Sequence, residues 1–314
     1  MVVAEMLDLS RLPSPDLIAI DYEADLIERI ARLKEVFDAA GISYDVDRLL
    51  TDPAGLIQEA DNYRETLAKA TINDTYKKTL IGFAERDSLD WFAANFHFMG
   101  RMDGETDERF RRRIQLENEN KAGGRLAGYM LECMNASIEV SDVGAWVDRS
   151  NIFEPTVRLA IMVASVPSWV RDPAAPVDTA RFLRSDGGGN GAAPDALVTL
   201  VQSHMDRDTV KQATDIVAVQ SVSVLETDIR YMVHHLKGPD PTLLRTTSGL
   251  AVARMVDERH KPHRDLPRPA IIAAGSVGGV ETLSVDAPAT DIDASFGELV
   301  FVNSITVESA YTDG

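Results

Sequence analysis

Residues 126–163 read LAGYMLECMNASIEVSDVGAWVDRSNIFEPTVRLAIMV, and the periodicity changes inside this stretch. Leu126 to Met134 fits a helix. From Ala136 the pattern shortens. Ser137 to Val143 alternates, and Thr156 to Val163 is rich in β-formers, so both read as strands. Helical periodicity dominates before residue 136, and strand patterns mixed with helices follow it. The fold class read from this change is α+β: a helical N-terminal region with a long bundle-forming helix, then small mixed α/β domains.

Working toward the N-terminus, Asp107 to Gln115 opens a helix expected to reach Asn118 or beyond, and Lys121-Ala-Gly-Gly breaks the chain after it. Ser88 is expected to cap a short helix through Phe96. A longer helix is expected from Pro53 to about Phe83, started by Thr51-Asp52-Pro53. Along it Leu56, Ala60, Tyr63, Leu67 and Ala70 recur at steps of four and three, a heptad-like seam that Ile72, Tyr76, Leu80 and Phe83 extend after a shift in phase. At ~30 residues such a helix is ~45 Å long. Its seam packs either on its own domain or against helices of another chain. Asp21 to Ala40 is expected to be helical, with Leu26, Ile27, Ile30, Leu33 and Phe37 on one face and Gly41 as its C-cap. Residues 8–20, with Pro13 and Pro15, read as an extended arm.

Toward the C-terminus, residues 166–195 read as a long loop, rich in proline and carrying Asp186-Gly-Gly-Gly-Asn-Gly. A helix follows from Pro194-Asp195 to Met205. Val217–Val224 and Asp228–Leu236 read as strands, and Pro241 to His260 and Pro267 to Ala274 as helices. Val280–Val285 and Leu299–Val307 read as the last strands. The expected division is 1–50 (arm and helix), 51–135 (helical bundle region), 136–214 (middle α+β domain) and 215–314 (C-terminal docking domain).

The 314 residues carry 32 bases and 50 acids, a net charge of −18. This disfavours general nucleic-acid binding, which needs a basic face. Residues 1–100 hold net −9 and residues 281–314 net −7, leaving 101–280 nearly neutral. The acidic ends are either solvated faces or surfaces that meet basic partners. Asp286, Asp291 and Asp293 are the candidate contact acids of the C-terminal end. The N-terminus lacks a basic, apolar leader pattern, and no apolar run is long enough to span a membrane. The single cysteine, Cys133, leaves no disulfide framework and reads as a small core residue. The chain is expected to be made in a reducing cytoplasm.

Catalytic chemistry is scarce. Asp257-Glu-Arg-His260-Lys-Pro-His263-Arg-Asp265 is the best metal-ligating stretch, and a metal-dependent hydrolase using His260 and His263 is the alternative function it supports. Pro262 separates the two histidines, and no second cluster supplies a third ligand. His234-His235 point to opposite faces of a strand. No cofactor, metal or catalytic residue is assigned. Arg109, Arg111, Arg112 and Arg113 form the densest positive cluster. Either they pair on a solvated face with Asp107, Glu108 and Glu117, or they form buried ion pairs at a domain junction.

Several motifs together resemble the baseplate J-like family of contractile-tailed phages. They begin with Leu9-Ser-Arg-Leu-Pro-Ser-Pro-Asp, then Asn62-Tyr63-Arg64-Glu65 and Asn73. Leu89-Asp90 with Ala94, Phe96 and Arg101 follows. Asp107-Glu-Arg-Phe110-Arg111-Arg112-Arg113-Ile114 is the most specific, and Lys121 to Tyr129 comes next. Asp215 to Ser221, Gly238-Pro-Asp-Pro, Gly278-Gly-Val-Glu-Thr and Ala287-Pro288 complete the order. Ala93 and Glu85-Arg86 stand where the family usually has glycines, and the Gly-Arg-Asp pattern is reduced to Arg264-Asp265. The resemblance implies a non-enzymatic wedge component of a virion baseplate, assembled in the host cytoplasm. It implies dimers within a wedge, a sixfold ring around a hub and spike, sheath-proximal neighbours, and a helical bundle with a partner wedge protein. A soluble adaptor outside a virion is a further alternative. Tyr63, Arg64, Asp107, Phe110, Arg111 and Arg113 carry over as structural or contact residues.

Overall fold

A computed structural model describes residue 13 and residues 15–42, 53–120, 126–164, 168–184, 189–212, 214–238 and 240–312. Helices lead and mixed sheets follow, so the chain is α+β. The motif at 9–12, the Thr51-Asp52 helix start, the Lys121 break and Asp186 with its first two glycines lie outside the described residues. The described residues fall into two compact units, one ending at Arg101 and the other beginning at Met102.

The first unit contains α1 (Tyr22–Ala39), α2 (Pro53–Lys77) and α3 (Arg86–His97). Asp21 caps α1 by accepting from Ala24 N at 3.0 Å. Gly41, with φ of 73°, ends it. There Ile42 N bonds Phe37 O and Gly41 N bonds Asp38 O, a paired closure that uses the last carbonyls of the helix. Two expectations need correction here. α2 is 25 residues long and stops at Lys77, short of Phe83. Beyond it the amides of Thr79 and Leu80 bond three residues back, and the Thr79 hydroxyl takes the Tyr76 carbonyl at 2.7 Å. That local bond competes with helix continuation, and Gly82 weakens it further. α3 starts at Arg86 after Glu85, so Ser88 lies inside the helix and does not cap it. Arg86 has φ of 48°, a left-handed conformation that favours glycine.

The second unit opens with α4 (Asp107–Glu119) and α5 (Leu126–Ala136), followed by β1 (Val140–Asp148) and β2 (Thr156–Val163). β1 begins three residues later than expected, because residues 138–139 form a turn. β2 is buried at four consecutive positions, 159–162, and is the centre of a three-stranded sheet ordered β1-β2-β5. β5 (Ile216–Ser221) lies parallel to it and β1 antiparallel. Between them α6 (Asp195–Met205) lays Gln202 along β5, bonding Val217 O and Val219 N.

The expected 166–195 loop is corrected too. It holds a hairpin of β3 (Trp169–Arg171) and β4 (Thr179–Arg184). Alternate burial of Ala180, Phe182 and Arg184 shows the period-2 signal, which the surrounding prolines concealed. The five-stranded sheet runs β3-β4-β8-β6-β7, with β6 (Ser223–His235), β7 (Thr282–Ala287) and β8 (Glu298–Tyr311). β6 is continuous across Glu226–Asp228, where two strands were expected to part. A bulge between Thr227 and Asp228 carries it along its parallel partner β8.

α7 (Pro241–Arg259), capped by Asp240 and started by proline, covers this sheet together with α8 (Arg268–Gly275). Phe182, Ile229, Tyr231, Val233, Val252, Val256, Ile305 and Val307 form the core between them. Gly249 of α7 sits so close to the Phe182 ring that a Cβ would lie 2.2 Å from it. The Tyr231 hydroxyl donates to Ser248 Oγ at 2.8 Å, which donates to Gly275 O at 2.7 Å, pinning sheet, α7 and α8 together. Cys133 is fully buried in α5, and burial raises its thiol pKa far above the ordinary range, so it is an unreactive core thiol.

Candidate functional site

The helical unit has an unusual interior. Its buried apolar side chains, among the described residues, are Ala84, Leu89 and Ala93, all in or just before α3. None comes from α1 or α2. α1 buries no residue, and the buried positions of α2 are Gly55, Asn62 and Asn73. These sit at steps of seven and eleven residues and therefore share one helix face. That face is polar, and it is the one that receives α1 and the arm.

The contacts follow from its chemistry. Lys69 bonds Asp25 at 2.7 Å and Glu65 at 3.2 Å, and Glu65 also pairs with Arg29. These partners lower the Glu65 pKa and raise that of Lys69. Lys77 pairs with Asp16 at 3.0 Å. Asn62 donates to Tyr22 O at 2.9 Å. Asn73 accepts from Leu17 N and Ile18 N at 3.1 and 3.0 Å and donates back to Ile18 O at 2.8 Å, so its amide grips the arm by the main chain.

The apolar seam lies elsewhere on α2. Leu56, Tyr63 and Leu67 are 51, 58 and 49% exposed, and Ile57 and Ile72 are exposed beside them. The heptad pattern is real, and its large apolar side chains stay about half exposed. Arg64 is on the open face, its guanidinium 4.0 Å from Asp61.

The arginine cluster behaves oppositely. Thr106 caps α4, accepting from Arg109 N. Glu105 precedes it, with a fully buried side chain. One of its carboxylate oxygens pairs with Arg109, and the other with Arg113 at 2.7 Å. Arg109 also donates to Val140 O at 2.9 Å, Ser137 O at 2.8 Å and Met134 O. Arg113 reaches Asn135 Oδ1 at 3.1 Å, and Arg112 reaches Asp142 at 3.0 Å. Of the two open readings, buried ion pairs are the one these bonds follow. They join α4, α5 and β1. Burial lowers the Arg109 pKa, against the pull of Glu105. Phe110 is completely buried beside Arg113; Asp107 and Arg111 are half-buried on the same helix. Glu105 escaped the sequence reading because it precedes the helix, although its spacing of four and eight residues from Arg109 and Arg113 sets it at the N-terminal end of the line those two make along α4.

The two histidines considered as metal ligands engage different main-chain atoms. His260 is 8% exposed and its Nδ1 lies 3.2 Å from Val300 O; His263 Nδ1 lies 2.8 Å from Ala294 O and its ring stacks on Phe296. Burial, with Arg184 nearby, lowers the His260 pKa to about 4. Among the described residues no group of three or more His, Cys, Asp or Glu is placed to hold a metal. Asp286, Asp291 and Asp293 are exposed, and Asp291 accepts from Arg268 N at 2.7 Å at the start of α8. No helix among the described residues is long and apolar enough to cross a membrane.

Comparison with known proteins points to the same family as the motifs. Residues 50–102 match the Baseplate J-like N-terminal domain, which spans the whole of α2 and α3. The chain is also 24% identical to "Baseplate protein J" of Escherichia phage P2 over 328 aligned positions, which cover 98% of this chain and 99% of that protein. The resemblance drawn from the motifs is borne out.

Proposed function

We propose that this chain, a member of the baseplate J-like family, is a structural protein of a contractile phage tail, located in the baseplate of the virion. Near end-to-end similarity to a phage baseplate protein is the observation that carries the reading. Its role is mechanical, and its residues act by holding neighbours. In this reading copies pair within a wedge and close a sixfold ring around the hub and spike. Their contacts link that ring to the sheath and to peripheral wedge proteins.

The two units suit different parts of that task. The ion-paired, sheet-rich unit is a rigid body that can transmit force between neighbours. The helical unit presents an apolar seam for a bundle with a partner wedge protein. Release of the extended sheath would follow when signals shift the ring contacts between two packed arrangements. The test is co-expression with the neighbouring tail genes, followed by imaging and mass analysis. Wedge-sized particles containing this chain are expected; a chain that remains monomeric with every tail protein would overturn the proposal.

A further inference from the structure

Asn190-Gly191 is the single Asn-Gly dipeptide of the chain, and it takes no part in the baseplate reading. Asparagine is a labile residue. Its carboxamide carbon is open to attack by the main-chain nitrogen that follows it, and glycine is the residue that shields this nitrogen least.

The fold requires that glycine. Gly191 has φ of 92°, a conformation that L side chains rarely adopt. A Cβ there would lie 2.6 Å from Leu299 Cδ2 and 3.5 Å from His260 Nε2, and both of those residues are buried. The fold also presents the asparagine. Asn190 Oδ1 accepts from Ala192 N at 3.3 Å, a turn that folds the carboxamide back over the Gly191 amide between them. Asn190 is only partly buried, so water reaches it.

Asn303 supplies an internal comparison. Asn190 Nδ2 faces one oxygen of Glu226 at 3.5 Å, and Asn303 Nδ2 faces the other at the same distance. Ser304, which follows Asn303, is 6% exposed and lies in the ladder of β8 with β6, opposite Asp228. Asn303 cannot close a ring onto that amide without leaving its strand.

We infer that Asn190 is a site of spontaneous deamidation, a chemical clock at the joint between the two sheets. The Gly191 nitrogen bonds to Asn190 Cγ and gives up its proton. The Cγ–Nδ2 bond breaks, and the departing nitrogen takes that proton and leaves as ammonia. Water then opens the succinimide ring, its hydroxyl going to one carbonyl carbon and its hydrogen to the ring nitrogen. Opening at one carbonyl gives aspartate. Opening at the other gives isoaspartate, in which the main chain runs through the former side chain. Nothing is oxidised or reduced.

The position makes the product felt. Gly191 O accepts from Val163 N at 3.0 Å, and Ala192 bridges to Met162, so this segment pairs with the end of β2. Met162 and Leu299 share a buried cluster that joins the three-stranded sheet to the five-stranded one. Isoaspartate lengthens the main chain at that joint, and aspartate sets a carboxylate against Glu226.

The chemistry needs no partner and is independent of the baseplate reading. To test it, full-length protein is aged at 37 °C and pH 8, folded and in guanidinium, and its peptides are followed by mass and by isoaspartate content. In the folded protein the Asn190 peptide is expected to gain about one dalton, as both isomers, at least tenfold faster than the Asn303 peptide. The aged protein should melt below the fresh one, and aged Asn190→Ser should not. An Asn190 that stays intact in the fold while it converts in guanidinium would overturn the inference. So would conversion no faster than at Asn303, or an equal fall in melting temperature for the parent and Asn190→Ser.

Discussion

Two kinds of polar contact coexist in this molecule, and they do opposite jobs. In the 102–314 unit, Glu105, Arg109 and Arg113 are buried and enclosed by main-chain carbonyls. In the α1–α2 hairpin, Arg29, Glu65, Lys69 and Asp25 keep contact with solvent, with side-chain exposures of 18 to 41%. A buried charge that loses its partner is stranded at high cost, whereas an exposed one is rehydrated. The first network locks a fold; the second holds two helices in register while leaving their apolar surface uncommitted.

The largest effect should come from breaking the lock. Glu105→Ala leaves two guanidinium groups in a dry site and should destabilise the 102–314 unit by about 3–5 kcal/mol, read from denaturant unfolding. Hydrogen exchange in α1 and α2 should hardly change. A global loss of protection in both units would erase the distinction.

Acid should act on the same unit. His260 is neutral in the fold, with its pKa down from 6.5 to about 4. The unfolded chain takes up a proton between those values and the folded chain does not. Stability is therefore complete above pH 6.5, falls as pH drops toward 4, and is flat with respect to this group below it. The loss is on the order of 3 kcal/mol at about 1.4 kcal/mol per pH unit. In His260→Gln the slope across that window should diminish; an unchanged slope would assign it to other groups.

In the hairpin, Asn73→Ala removes three bonds to the arm and should cost about 1–2 kcal/mol. The loss should appear as faster exchange at Leu17 and Ile18, with the sheets unaffected. The smallest effect on stability belongs to the seam. Leu67→Ser should stay within about 0.5 kcal/mol of the parent, yet lower incorporation into wedges. A large fall in melting temperature would mean that the seam is already covered.

Much of this was legible in the sequence. The change of period at residue 136, α1, α6, α7 and the heptad pattern all come from side-chain spacing, and the structure keeps them. The purpose of the spacing was less visible. Leu56, Tyr63 and Leu67 mark a seam, but nothing local tells whether the covering helix belongs to the same chain. Asn62 and Asn73 face α1 and the arm because their amides bond main chain, and a hydropathy pattern scores them as solvent-facing. Glu105 stands before its helix and outside the arginine run, so only the spacing of four and eight residues betrays it. The β3–β4 hairpin was hidden because Ala180, Phe182 and Arg184 make a short alternation between prolines.

The grip of Asn73 on the arm has an evolutionary consequence. A carboxamide that bonds two amides and a carbonyl reads the path of the chain and is indifferent to the side chains it carries. Residues 17 and 18 can drift among nearly all amino acids without loosening the arm. Proline is the exception, since it has no amide hydrogen to give. Among relatives these two positions should therefore diverge freely in composition, while their distance from the asparagine and their freedom from proline persist.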